Sequence, residues 1–370
     1  MQTELFFHNS LCNSEIYFSQ NYPQARQKFL DAANQLNHAN IHQSWQLEKD
    51  LTCDSIWLGA ENAEKVLVII SGTHGVEGYC GSAVQNFILQ AINAGLITVA
   101  DSTAILLIHA LNPWGMQHYR RCDQDGIDLN RNFVDFSQPL SDNPKYLHYL
   151  EQLVEVDSNQ RYTVFEQFSK TLGQQQFDEI FSGGQYHCNW GPFYGGQKAS
   201  WSNHVIDQII NNYQLDEKLL VVLDIHSGLG PFAFGELISD HSPETAGAKF
   251  AEKLFGSAIA ATLAGNSFSV AKRGLLDYRW HDLMHNGGCF LTLEFGSFGT
   301  AALFNVILDD HIIWHNTHNM MAKNIKLQAQ KMQQHFCPND ILWQQSVLYK
   351  SWQAVHTTLC VFSDNQYDHG

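Results

Sequence analysis

The sequence predicts an α/β fold on a largely parallel or mixed sheet. Short, almost wholly apolar runs recur at 66–70, 104–110, 219–225 and 289–295. Each stops at polar or turn-forming residues, and such runs suit strands buried on both faces. Stretches of helical periodicity lie between several of them, as at 81–93 and 245–263. That alternation is the pattern of an α/β sheet. With 370 residues, 44% apolar and 12% aromatic, the chain can bury a sizeable core and is not a disordered one.

Residues 22–37 predict the first helix. Ala25, Phe29, Ala32, Ala33 and Leu36 share a face, and Pro23 lies near the start. Residues 52–58 read as a strand ended by Gly59, and 66–70 runs into Ser71-Gly72. The run 104–110 leads to Asn112-Pro113. Residues 137–205 differ, being rich in Asp, Asn, Ser, Gln and Gly and containing GGQYHCNWGPFYGG at 183–196. They predict an insertion or long connection with one or two helices. Strands at 219–225 and 289–295 follow. Residues 306–357 read as helical, broken near Cys337-Pro338-Asn339-Asp340. No repeat or long linker divides the chain, so one domain over residues 1–370 is expected.

Twenty-one Lys and Arg against 37 Asp and Glu give a net charge of −16. That excess argues against nucleic acid as a partner, because such affinity rests on neutralising phosphates. It argues equally against an anionic membrane surface. No apolar run approaches the ~18 residues of a transmembrane span. The N-terminal MQTELFFHNSLCNSE lacks the basic region of a secretory signal. Eight cysteines stand singly with no C-x-x-C pair. They read as reduced thiols, and a cytoplasmic location is the expectation.

Ligands of open α/β sheets bind outside the carboxyl ends of strands. The first such end carries Ser71-Gly72-Thr73-His74-Gly75-Val76-Glu77-Gly78. In a tight turn, residues i and i+3 project to one side, so His74 and Glu77 can grip one ion. His226, ending another strand, supplies a third ligand. A two-histidine, one-glutamate set leaves a position open, as catalytic zinc sites do. The chain holds two further H-x-x-E pairs, His148/Glu151 and His241/Glu244. These lie in a polar helical stretch and in a loop, where an ordinary surface role is expected. Asp224, two residues before His226, shares its face of the strand and needs a partner, as a second support to a ligand would provide. Glu294, inside FLTLEFG, is either a general base or half of a salt bridge.

H-x-x-E after a strand, then N-P-x-G, an arginine, D-L-N-R-N-F, a strand ending in His-Ser and one carrying T-x-E occur in this order over about 52–300. This set resembles the zinc carboxypeptidases of the carboxypeptidase A type. The likeness is greatest to a bacterial branch near the succinylglutamate desuccinylase/aspartoacylase group. The resemblance implies a mixed, largely parallel eight-stranded sheet with helices on both faces, and zinc as cofactor. It implies His74, Glu77 and His226 as metal ligands and Glu294 as the residue that activates water. Asn130 and Arg131 match the pair that grips the substrate's free carboxylate. Arg121, with Arg120 as a rival, matches the transition-state arginine. Tyr278 is the candidate for a tyrosine closing over substrate, with Tyr186 and Tyr194 as rivals. The expected partner is a small peptide or N-acyl amino acid with a free carboxylate, cleaved by a metallopeptidase of carboxypeptidase type or by an N-acyl amino acid deacylase. No G-x-S-x-G, G-x-x-x-x-G-K-[ST] or G-x-G-x-x-G motif supports a serine hydrolase or a nucleotide enzyme.

Overall fold

The apolar runs form the centre of a mixed eight-stranded sheet. The structure is a computed structural model describing residues 2–36, 40–140, 143–316 and 322–364. Its strands are β1 (Asn40–Glu48), β2 (Leu51–Gly59), β3 (Lys65–Ser71), β4 (Thr103–His109), β5 (Leu219–Gly228), β6 (Gly235–Ser239), β7 (Ile259–Ala261) and β8 (Gly288–Gly296). They lie in the order β1-β2-β4-β3-β5-β8-β6-β7. The four central strands, β4, β3, β5 and β8, are mutually parallel. The antiparallel β2 and β1 extend one side. On the other side β6 is antiparallel to β8, and β7 is parallel to β6.

Both faces of the centre are covered, which is why its strands lack a polar alternation. On one face Leu67, Ile69 and Leu223 pack with Phe29, Val84, Phe87 and Val355 from helices Tyr22–Asn34, Gly78–Asn93 and Ile341–Ser363. On the other, Val66, Val68 and Val222 pack with Val205, Ile209 and Trp280 from helices Trp201–Asn212 and Leu276–His281. Asn21 starts the helix Tyr22–Asn34 by accepting from the Gln24 amide at 3.0 Å, the usual role of an N-cap side chain.

Three strands escaped the sequence. Along β1, Ile41, Gln43, Trp45 and Leu47 are partly covered while the residues between them are exposed. It is a half-buried outer strand, not an apolar run. Strand β6 carries Glu236, whose carboxylate meets the Phe268 amide and the Ser267 hydroxyl. The helix expected over 245–263 ends at Phe255, and β7 occupies Ile259–Ala261. Positive φ at Gly256 marks the break.

The segment 137–205 is more helical than expected, with helices Pro144–Val154, Arg161–Leu172 and Gln174–Ser182 before Trp201–Asn212. Tyr146, Phe165, Phe177, Phe181 and Phe193 build an aromatic cluster with Phe304 and Phe336 of helices Thr300–His315 and Ala322–Phe336. The C-terminal helices break at 337–340 as the sequence predicts. Among the described residues no helix is long and apolar enough to cross a membrane. All eight cysteines are free thiols.

The chain passes from β3 to β4 on one side and later to β5 on the other. The carboxyl ends of β3 and β5 therefore flank a switch in strand order, where open α/β sheets bind ligands.

Candidate metal centre and its cleft

His74 lies three residues past the end of β3, and Glu77 closes the short turn Gly75–Glu77 before the helix Gly78–Asn93. Gly75 lets this turn pass the next loop, since a Cβ there would lie 2.1 Å from the Gly115 carbonyl carbon. The Gly75 and Val76 amides donate to the carbonyls of Arg121 and Arg120 at 3.2 and 2.9 Å. His226 lies within β5, which runs on to Gly228, and pairs in register with Glu294 of β8. One sheet thus places His226 and Glu294 side by side, and one turn swings His74 and Glu77 over them.

The donor atoms of His74, Glu77 and His226 all lie within 4.8 Å of one another. His74 Nδ1 is 3.0 Å from one Glu77 carboxylate oxygen, and His226 Nδ1 is 3.2 Å from the other. The two Nδ1 atoms are 3.2 Å apart. Each ring turns its far nitrogen to a buried carboxylate. His74 Nε2 is 3.0 Å from Asp128, and His226 Nε2 is 2.6 Å from Asp224. Asp224 is itself fixed by the Thr73 hydroxyl at 2.8 Å. A proton donated at Nε2 leaves the lone pair of a neutral imidazole at Nδ1. Two lone pairs and a carboxylate then face one buried point, an arrangement that suits a cation.

The electrostatics agree. Burial opposes ionisation of Glu77, but His74 and His226 outweigh it and hold its carboxyl well below the usual range. Burial also opposes a cationic His226, yet Asp224 and Glu77 raise its pKa well above the ordinary value. Without an ion the cluster draws a proton.

Asp128 is a member of the centre that the sequence does not mark. In the fold it caps the turn Leu129–Arg131, accepting from the Asn130 amide, and it holds both His74 and the Arg121 guanidinium. Burial works against its charge, but Arg121, Arg131 and His74 keep its carboxyl well below the usual range. Arg121 also reaches Glu77 at 3.4 Å. Arg120 points elsewhere, to Asp310 at 2.8 Å and onto the Trp314 ring. Of the two arginines, only Arg121 lines the cleft.

Arg131 is 1% exposed. Its guanidinium donates to the carbonyls of Ser182 and Asn130, which leaves one N–H on each terminal nitrogen for a ligand. Asn130 accepts from the Leu276 amide at 2.7 Å, so its own amide group stays available as a donor. Phe193, from the glycine-rich insertion, lies beneath both guanidinium groups, 5.3 Å from Arg121 and 5.6 Å from Arg131. Nothing in the sequence marks Phe193 for that place. Tyr186 is 1% exposed and donates to the Arg131 carbonyl. Tyr194 accepts the Asp128 amide through its carbonyl.

Glu294 is buried, and its carboxylate accepts from the Leu229 amide at 3.0 Å. Burial, then the nearby Glu77 charge, pushes its pKa up to about 8, against His226 and the Leu229 amide. His74, Glu77, Arg121, Asn130, Arg131, His226 and Glu294 all line one cleft of about 830 Å³, part of it open to solvent. Tyr278 is not among the lining residues. It is 39% exposed, and its hydroxyl donates to the Lys272 carbonyl at 3.1 Å. His148 and Glu151 lie on an exposed helix face. His241 is buried, contrary to the surface role expected, because its Nε2 accepts the Phe290 amide at 3.0 Å.

A mixed sheet with a buried histidine–glutamate–histidine cluster at its switch point defines an α/β protein with a candidate metal site. The chain belongs to the family described as protein of unknown function DUF2817, which matches residues 18–350. No curated protein matches it. Among solved structures, bovine thrombin-activatable fibrinolysis inhibitor, in complex with tick carboxypeptidase inhibitor, is 10% identical with a TM-score of 0.50. The match covers 91% of this chain and 98% of that one. Carboxypeptidase A from Helicoverpa armigera is 13% identical, TM-score 0.49, with 85% and 73% covered. Succinylglutamate desuccinylase from Chromobacterium violaceum is 12% identical, TM-score 0.37, with 85% and 74% covered. What the chain shares with the bovine protein is the fold.

Proposed function

We propose that the chain is a zinc-dependent hydrolase that cleaves an amide bond next to a free carboxylate, as a carboxypeptidase-like metallopeptidase. One observation carries this reading: the paired Nδ1 atoms and the Glu77 carboxylate face one point in the cleft that also holds Glu294, Arg121 and Arg131. Two imidazoles and one carboxylate match the donor set of catalytic zinc. Held by His74, Glu77 and His226, zinc would supply Lewis acidity, polarising a carbonyl and lowering the pKa of water to about 7.

The chain's own groups do the rest. Glu294 takes the proton of the attacking water and passes it to the leaving amine nitrogen. Arg121, held in place by Asp128 and Glu77, offers N–H groups to the oxygen on which negative charge develops. Arg131, with two N–H groups free, and the Asn130 amide receive the substrate carboxylate. Eight free cysteines accord with a reducing, cytoplasmic setting.

The experiment is a panel of peptides with free and amidated C-termini, alongside N-acyl amino acids, on the zinc-loaded protein. Amidation is expected to lower kcat/KM by on the order of 30- to 1000-fold. Arg131→Ala should impose a similar loss on the free acid and little more on the amide. Equal cleavage of free and amidated substrates would reject a carboxylate-directed enzyme. Efficient cleavage of N-acyl amino acids with none of peptides would instead make it a deacylase.

The carboxylates behind the ligands have their own test. Asp128→Asn is expected to weaken zinc binding by about 10- to 100-fold, measured by competition with a chelator. Unchanged affinity would show that Asp128 serves Arg121 alone.

A further inference from the structure

We propose that the inner end of the cleft binds a cationic group, an ammonium or guanidinium, on the carboxylate-bearing fragment of the substrate, through Asp277 with Asp240. This rests on the hydrolase reading above and names a substrate class within it. Asp240 follows β6, and Asp277 lies in the first turn of the helix Leu276–His281. Both line the cleft that holds Glu294 and Arg131. Thr292 lines it too. On β8, Thr292 and Glu294 are two residues apart, so they share a face and stand about 7 Å apart along the strand. The inner end is therefore within one side chain's length of the reacting centre.

One carboxyl oxygen of Asp277 lacks a partner there. The residue is 4% exposed, and its Oδ1 has no hydrogen-bond partner among the described residues. The imidazole nearest its other oxygen is His281 Nε2 at 3.9 Å. Burial pushes the His281 pKa down to about 4, so that ring is neutral at pH 7. Lys272 also lines the cleft, but its ammonium donates to the Ser269 hydroxyl and the Val270 carbonyl. The Lys272 charge acts on both Asp240 and Asp277 and leaves the Asp277 Oδ1 without a hydrogen-bond partner. A third lining carboxylate, Asp178, accepts from the Gln174 side chain through its Nε2. Burial, then the Asp240 charge, raises the Asp277 pKa well above the carboxylate range. A buried carboxyl without a partner is costly, and a ligand cation removes that cost. Ile238, Val270 and Phe290 give the same end of the cleft apolar walls. Such walls suit the aliphatic stem that carries an ammonium or guanidinium. With Arg131 taking the carboxylate, the fragment is a basic amino acid.

The test compares acylated dipeptides ending in lysine and in norleucine, whose stem matches lysine without the ammonium. Lysine should exceed norleucine in kcat/KM by about 10- to 100-fold. Asp277→Asn should reduce that ratio to within about threefold of one. Should this variant fail to fold, Asp240→Asn carries the same ratio test. Norleucine cleaved as well as lysine, or a ratio unmoved by the substitution, would overturn the proposal. If neither substrate is cleaved, the carboxypeptidase form of the hydrolase reading fails, and calorimetry with free lysine and free norleucine decides this one. Tighter binding of lysine, lost in Asp277→Asn, upholds the cation site; equal binding rejects it.

Discussion

Glu294→Gln should leave the chain folded and its ion bound while kcat falls by roughly 10²–10⁴. The amide keeps the size of the side chain, and its oxygen can still accept from the Leu229 amide that fixes Glu294. What it loses is the ability to take and return a proton. KM should change little, because the proposed carboxylate receptor, Asn130 and Arg131, is untouched. In the ion-free protein the Glu294 pKa stands at about 8, so the group binds a proton in the folded state that the unfolded chain has released. Its folded pKa is raised, so this contribution to stability falls as pH rises from the ordinary carboxylate range through about 8. The substitution should flatten that part of the stability profile. A variant that loses its metal, yet regains full activity when zinc is restored, would make Glu294 a ligand and not the proton carrier.

His226→Ala should cost the metal itself. A structural zinc site of four ligands is worth about 10–16 kcal/mol, or on the order of 3 kcal/mol per ligand. Removing one of three should therefore weaken binding by at least about 100-fold. Elemental analysis after dialysis should fall from about one zinc per chain to a small fraction. The substitution also strips Asp224 of the Nε2 contact at 2.6 Å and leaves Glu77 without one of its two histidines. Two buried carboxylates then stand with less positive charge near them, so a fall in Tm is expected as well. Full retention of zinc would remove His226 from the ligand set.

The central strands could be read from the sequence because burial on both faces leaves nothing polar to dilute the apolar signal. The same reasoning explains the misses. Strand β1 is half-covered and holds Gln43 among its inward residues, β6 contains the hydrogen-bonded Glu236, and β7 has only three residues inside an alanine-rich stretch that suits a helix. In the site, His74, Glu77, His226 and Glu294 stood out as ionisable groups at the ends of apolar runs. Which nitrogen of each imidazole faces the centre did not, because that depends on Asp128 and Asp224 arriving behind the rings. Asp128 lies close to Asn130 and Arg131 in the sequence, but the fold gives it to Arg121 and to His74, 54 residues away. Phe193 and Asp277 carry no motif. Their significance comes from what they face and, for Asp277, from what fails to face it. Tyr278 matched by order along the chain alone, and its helix turns it outward.

Arg131 owes its pose to residues about fifty positions away. Ser182 receives its guanidinium, Tyr186 caps its carbonyl, and Phe193 lies under it. Closing so long a loop costs entropy before any of these contacts form. Bringing His74 to His226 closes a longer loop still, 152 residues that contain the insertion, so the sheet and the insertion constrain one another. The glycine-rich segment reaches the ion pocket as well, because the Tyr194 carbonyl receives the amide of Asp128, the residue behind His74; a nick there would loosen the anion receptor and the ion pocket together.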